Sequence, residues 1–349
     1  MKPYTVVLII PTGIGAAIGG YAGDALPVAR AIAQSCDRLI THPNVLNGAQ
    51  LYWPLPNAFY VEGYGLDQFA KGRWGLQSVH QNRIGLILDR AIAPDLRLRH
   101  VQAAEGCRAT LGLNLTDYVV TDAPLDVELR SSASGASWGT IGNTGSLLRA
   151  AETLIQQARA EAIAIVARFP DVDSLALEKY RHGCGVDPLA GAEAVISHLI
   201  VRQFRIPAAH APALSPLPLD PLLSPKSAAE EIGYTFLPCV LVGLSRAPQF
   251  VTQPTHESIW TDQVDAVIVP ESACGGSAIL SFSQQKTLII AVENNQTMMR
   301  VSPEPIGIKS IKVHSYIEAL GLLVAHRAGI SFESLNPSIC PLRCLSNVL

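Results

Sequence analysis

The chain is built on one recurring unit. A short run of apolar, mostly β-branched residues leads into a turn rich in glycine or serine, and then into an alanine-rich stretch with helical spacing. Such runs occupy residues 5–10, 84–88, 162–167, 240–244, 266–269 and 288–292. A strand with one wet face alternates apolar and polar residues, whereas a strand buried on both faces is apolar throughout. Continuous runs alternating with helices therefore predict an α/β fold of mostly parallel sheets with flanking helices, in one unit or in two α/β lobes. All six runs are expected as strands. Helices are expected over 24–33, 101–110, 188–202 and 315–328. Another should follow Gly145, where Leu147, Leu148, Ala151, Leu154 and Ile155 fall at helical spacing.

Prolines at 207, 212, 216, 218, 221 and 225 interrupt this pattern. Proline has no amide donor and a fixed φ, so the stretch should be neither helix nor central strand. One reading makes 207–226 a connector between an N-terminal lobe, 1–206, and a C-terminal lobe, 227–349. The other makes it a long ordered loop packed over a site.

Composition excludes several classes. Of 349 residues 48% are apolar and only 16% charged, against roughly 25% in an average soluble domain, which rules out disorder. The formal charge of -3 leaves no chain-wide basic footprint, so no nucleic-acid partner is expected. Mean hydropathy is high at +0.25, yet every apolar run falls far short of the roughly 20 residues that span a bilayer. Pro11-Thr12-Gly13 stops the first run too early for an export signal. A cytoplasmic protein with no membrane partner is expected. Seven scattered cysteines, at 36, 107, 184, 239, 274, 340 and 344, point to reduced thiols. Cys340 and Cys344 form the one close pair and lack a second pair for a zinc site, so no metal is expected.

Three Gly/Ser turns follow or precede expected strands. The first, 11–24, contains Gly13, Gly15, Gly19, Gly20 and Gly23 and enters a helix, where backbone amides can approach an anion. Gly13-x-Gly15-x-x-x-Gly19 is one residue too long for the dinucleotide pattern, and no Lys-Ser/Thr follows as in a P-loop. The alternative is a turn that packs helix on sheet. In the second, 130–145, Arg130, Ser132, Ser134 and Asn143 suit a phosphate or carboxylate. Its alternative is a solvated loop with Asn143 or Thr144 as helix cap. The third is 270–277. Parallel strands would align the three turns on one carboxyl edge, where open α/β sheets bind ligands.

His42, Asp24 and His182 are the candidate catalytic acid–base residues. His182 and Cys184 flank Gly183, which permits a Cys–His nucleophilic pair. Against it, Asp187-Pro188 reads as the start of a helix, with Cys184 a small buried hydrophobe. Asp187 is also a candidate ligand-binding residue. A metal set of His182, Asp187, His198 and His210 has no compact chelate spacing, and a lone helical histidine such as His198 is more often a satisfied core residue. Glu230-Glu231 reads as the acidic first turn of an ordinary helix. Glu293-Asn294-Asn295 suits either a sugar hydroxyl or turn chemistry.

The motifs Pro11-Thr12-Gly13-Ile14-Gly15 through Gly23-Asp24, Thr41-His42-Pro43-Asn44-Val45-Leu46-Asn47-Gly48-Ala49 and Gly185-Val186-Asp187-Pro188-Leu189-Ala190-Gly191 resemble a family of cyanobacterial and plastid proteins known as a domain of unknown function. Glu230-Glu231-Ile232-Gly233-Tyr234-Thr235-Phe236-Leu237-Pro238 extends that resemblance. It covers nearly the whole chain and implies one family unit with a housekeeping role in phototrophs. It brings no catalytic residues with it. The expected function is that of an enzyme holding a small anionic ligand, a phosphorylated metabolite or nucleotide, for group transfer or hydrolysis. The alternative is a non-catalytic ligand-binding or assembly protein. The residues identify no cofactor, and a homo-oligomer is compatible with them.

Overall fold

The computed structural model describes residues 2–47, 55–170, 174–232 and 236–342; Gly48, Ala49, 233–235 and Cys344 lie outside them. The chain begins one sheet with β1 (Thr5–Leu8), β2 (Arg38–Thr41) and β3 (Ala58–Tyr60) and then leaves it. A short β4 (Gly75–Gln77) precedes β5 (Ile84–Leu88), β6 (Leu115–Val120), the pair β7 (Val127–Ser131) and β8 (Ser137–Ile141), β9 (Ala162–Arg168) and β10 (Ala208–Ala213). After β11 (Gln249–Val251) and β12 (Ser258–Ile259) the chain returns through β13 (Ala266–Pro270), β14 (Leu288–Val292) and β15 (Ile311–Val313).

The first sheet is six-stranded, in the order β15-β14-β13-β1-β2-β3, and parallel throughout. Order runs outward in both directions from the β1–β13 junction, as in doubly wound sheets. The second sheet, β10-β9-β5-β6, is also parallel. The structure is thus α/β with two parallel sheets, and five of the six expected strands are present.

The sheets do not follow a break at 207–226. Both ends of the chain build the first sheet, and the intervening residues build the second. One core joins them. Val7 and Ile9 of the β1 segment share a cluster with Ile163, Ile165 and Ala167 of β9, while Val6 and Leu8 face the helices Leu26–Ala33 and Tyr316–Arg327. Burial on both faces of β1, β5 and β13 is why these runs are apolar without alternation.

Three expectations are corrected. Residues 240–244 lie in a helix, Leu237–Ser245, whose Leu237, Val240, Leu241 and Leu244 are fully buried. A helix buried all round presents the same apolar run as a buried strand. The proline-rich stretch holds no central strand, since β10 is the edge of its sheet, but its last proline, Pro225, opens the helix Pro225–Ile232, where a first-turn residue needs no amide donor. Finally, 131–141 is not a loop at a parallel strand's end but part of the antiparallel hairpin β7–β8, with Ser132 and Ser134 in its turn.

Candidate functional site

Residues at the carboxyl ends of strands in both sheets line one cavity of about 870 Å³. Pro11 and Thr12 follow β1, His42 follows β2, Glu62 follows β3, and Ser277 lies beyond β13. Arg168 ends β9, and Leu214 follows β10. The helix Ala190–Phe204 crosses the cavity and presents Glu193, Ala194, Ser197 and His198. The segment 214–223 closes one side. Part of the proline-rich stretch thus borders the cavity.

Asp187, Glu193 and Glu230 are the distinctive lining groups. Burial raises the proton affinity of all three, and the charges of Asp187 and Glu230 raise that of Glu193 further. Asp187 accepts from the amide of Leu189 at 2.8 Å, just before the helix, which begins at Ala190 with Leu189 at its N-cap rather than at Pro188 with Asp187 as cap. Glu230 accepts from the hydroxyl of Tyr180 at 2.7 Å, and Tyr180 stacks on Tyr21 of the glycine loop at 4.4 Å. Among the described residues Glu193 has no hydrogen-bond partner; His210 Nε2 lies 3.9 Å away.

The histidines divide by environment. His42 Nε2 accepts from the amide of Ile10 at 3.0 Å, so a neutral ring carries its proton on Nδ1. Burial holds this ring neutral, with its pKa lowered to about 4. His210 is lowered to about 3 by burial and by the charge of His198. His198 goes the other way: burial alone would lower it, but Glu62 at 2.6 Å raises it. Glu62 is itself fixed by the amides of Tyr64 and Gly65, whose helix it caps. The cavity therefore holds carboxyls that retain protons beside imidazoles that shed them, and such contrasted pairs are what general acid–base chemistry requires.

The other expected residues fall elsewhere. Asp24 stands behind Glu230, paired with Lys226 at 2.9 Å and accepting from the amide of Gly19. His182 is exposed and pairs with Asp220 at 2.8 Å, and Cys184 is exposed rather than buried. Neither lines the cavity. Arg130, Ser132 and Ser134 sit on the hairpin, with Arg130 paired to Glu128 at 2.7 Å and Ser132 bonded to Ser134. Asn143 donates to Pro124 O and to Asp126.

The glycines of the first loop serve contact. A Cβ on Gly13 would lie 2.7 Å from Ser137 Oγ, one on Gly19 2.6 Å from Ile10, and one on Gly20 2.3 Å from Ala16 O. Gly15 borders a smaller cavity of about 540 Å³ with Gly183, Gly185 and Lys226. Asn295 pins the loop through the backbone of Ile18, which answers the turn-chemistry reading of that asparagine. Glu193 was not singled out in the sequence, and Glu230 was read only as an acid in a helix's first turn, whereas it lies near the end of the helix Pro225–Ile232. The one available signal was Glu193 itself, an acid alone in the apolar run of its helix.

A family model described as a protein of unknown function, DUF3326, matches residues 5–336. A protein of Synechococcus sp. (strain ATCC 27144 / PCC 6301 / SAUG 1402/1) described as an uncharacterized lipoprotein is 60% identical over 339 residues, covering 96% of this chain and 94% of that relative. No solved structure matches.

Proposed function

The chain belongs to this DUF3326 family, and we propose that it is an enzyme performing acid–base chemistry, group transfer or hydrolysis, on a small molecule held in the larger cavity. The observation that carries the reading is the convergence on that cavity of the raised carboxyls Asp187, Glu193 and Glu230 with the neutral, tautomer-fixed His42. Perturbed groups of opposite sense cluster at catalytic sites more than elsewhere. In this reading Glu193 delivers or takes the proton, and the His42 ring orients substrate. Six acids line the cavity, Glu62, Asp67, Asp187, Glu193, Glu230 and Glu231, against Arg168, Arg181 and the paired His198. That balance supports a neutral or cationic group at the carboxyls, and moves the ligand away from the anion suggested by the glycine turns.

The test is turnover. The chain is incubated with pooled metabolites and depletion is followed by mass spectrometry. Wild type should deplete at least one compound, and Glu193→Gln should slow this by roughly 10²-fold or more. Depletion that Glu193→Gln leaves unchanged contradicts the assignment. Binding without turnover favours a ligand-binding protein, a reading supported by the use of His42 Nε2 on a backbone amide.

The same proposal includes a cytoplasmic location. The apolar run 6–10 enters the centre of the six-stranded sheet, where β1 lies between β13 and β2. The relative's description as a lipoprotein points instead to membrane association. Cell fractionation decides: recovery in the soluble fraction is expected, and a membrane pellet released only by detergent overturns it.

A further inference from the structure

We propose that the larger cavity takes an amphipathic molecule, with an apolar body under the segment 214–223 and a head that donates hydrogen bonds or carries positive charge against Asp187, Glu193 and Glu230. This names the ligand class of the site assigned above and rests on that assignment.

The cavity lining carries two chemistries. Leu177, Leu214, Leu217, Leu219, Leu223 and Phe236 are apolar members of it. Leu219 is fully exposed, at 102%, and Leu217 is 37% exposed. Burial of leucines does not hold this segment in place. Polar tethers do: Arg181 donates to Pro218 O at 2.7 Å, His182 meets Asp220 at 2.8 Å, and the Ser224 amide donates to Arg181 O at 2.9 Å. Leu217 and Leu219 are thus held by polar tethers while largely exposed, and each gains from an apolar body placed against it.

The carboxyl groups of the lining are acceptors. Glu193 has no hydrogen-bond partner among the described residues, Asp187 accepts from backbone, and Glu230 accepts from Tyr180 and the Ala22 amide. Nearby cations are engaged, Arg181 by Glu231 at 2.7 Å and His198 by Glu62. A hydroxyl or ammonium head satisfies the acceptor Glu193, and an ammonium draws the cluster toward its ionised form, whereas a carboxylate head sets a further negative charge beside Asp187, the least raised of the three.

The probes are n-octylamine, n-octanol, n-octanoate and n-butylamine, titrated calorimetrically into the full chain at pH 7.5. Octylamine should bind at least tenfold more tightly than octanoate and at least tenfold more tightly than butylamine. Glu193→Gln should shrink the first ratio, and Leu219→Ser, a surface change, should shrink the second. Octanoate equal to octylamine overturns the head. Butylamine equal to octylamine, or no binding by any probe, overturns the apolar body. Ala194→Phe narrows the cavity and should abolish octylamine binding; retained affinity overturns the location. If metabolite turnover is lost in Glu193→Gln while the octyl probes fail, the ligand class is wrong and the enzyme assignment stands.

Discussion

His42 contributes through a single nitrogen, and that makes it testable alone. Because Nε2 accepts the Ile10 amide, the proton belongs on Nδ1, and 15N chemical shifts should show that tautomer unchanged from pH 8 down to about 5. A folded pKa below the unfolded value of about 6.5 adds stability above pH 6.5 that is lost as pH falls toward 4. His42 and His210 both act this way. The buried histidines' share is read as a difference: from pH 6.5 to 4, His210→Gln should lose on the order of 2 kcal/mol less unfolding free energy than wild type. Glu230 has the opposite sign. Its raised pKa favours the fold most below the ordinary glutamate range and progressively less as pH rises through the folded value. Melting temperature should fall from pH 6 to pH 9 in wild type, and fall less in Glu230→Gln. An equal slope in the two proteins would place the carboxyl's proton affinity elsewhere. None of these shifts is legible in a sequence, because each depends on what surrounds the group. Glu230 next to Glu231 reads as a solvated helix start, yet one is buried in a carboxyl cluster and the other pairs with Arg181.

Among the elements, glycines separate packing from strain. A Cβ on Gly191 would fall 2.2 Å from Ser137 O, where the cavity-crossing helix meets hairpin strand β8. Gly191→Ala should cost about 3 kcal/mol or more, since backbone cannot swing aside. Gly185 has φ +91 and open space around its Cβ position, so Gly185→Ala should cost only about 1–2 kcal/mol of conformational strain. Chemical denaturation of both variants checks the contrast, and equal losses would contradict it. The strands were legible where apolar runs are buried on two faces, as at β5, β9, β13 and β14. Val240–Leu244 defeats that rule because the helix Leu237–Ser245 is itself enclosed, with Gly243 admitting the Tyr60 ring. The serines of 131–137 defeat it differently: hairpin pairing of Arg130 with Trp138 depends on register, which composition does not encode.

At the scale of the molecule, the chain begins and ends in one sheet and builds the other between. Six parallel strands ordered outward from β1 and β13 put their carboxyl ends beside those of β9 and β10, and the cavity is the space those ends share. Recurrent strand–turn–helix units made the parallel sheets legible. The convergence of two sheets on one cavity was not, because it depends on long-range pairing of β1 with β13, Val6 opposite Ala266, 260 positions later in the chain. The central claim is that this cavity is where the protein meets its small molecule. A thermal-shift screen of metabolites on wild type and Ala194→Phe in parallel tests it most directly, since a ligand specific to the folded state raises its melting temperature. The account predicts compounds that raise the melting temperature of wild type and leave Ala194→Phe unmoved. Compounds that stabilise both proteins equally would contradict it.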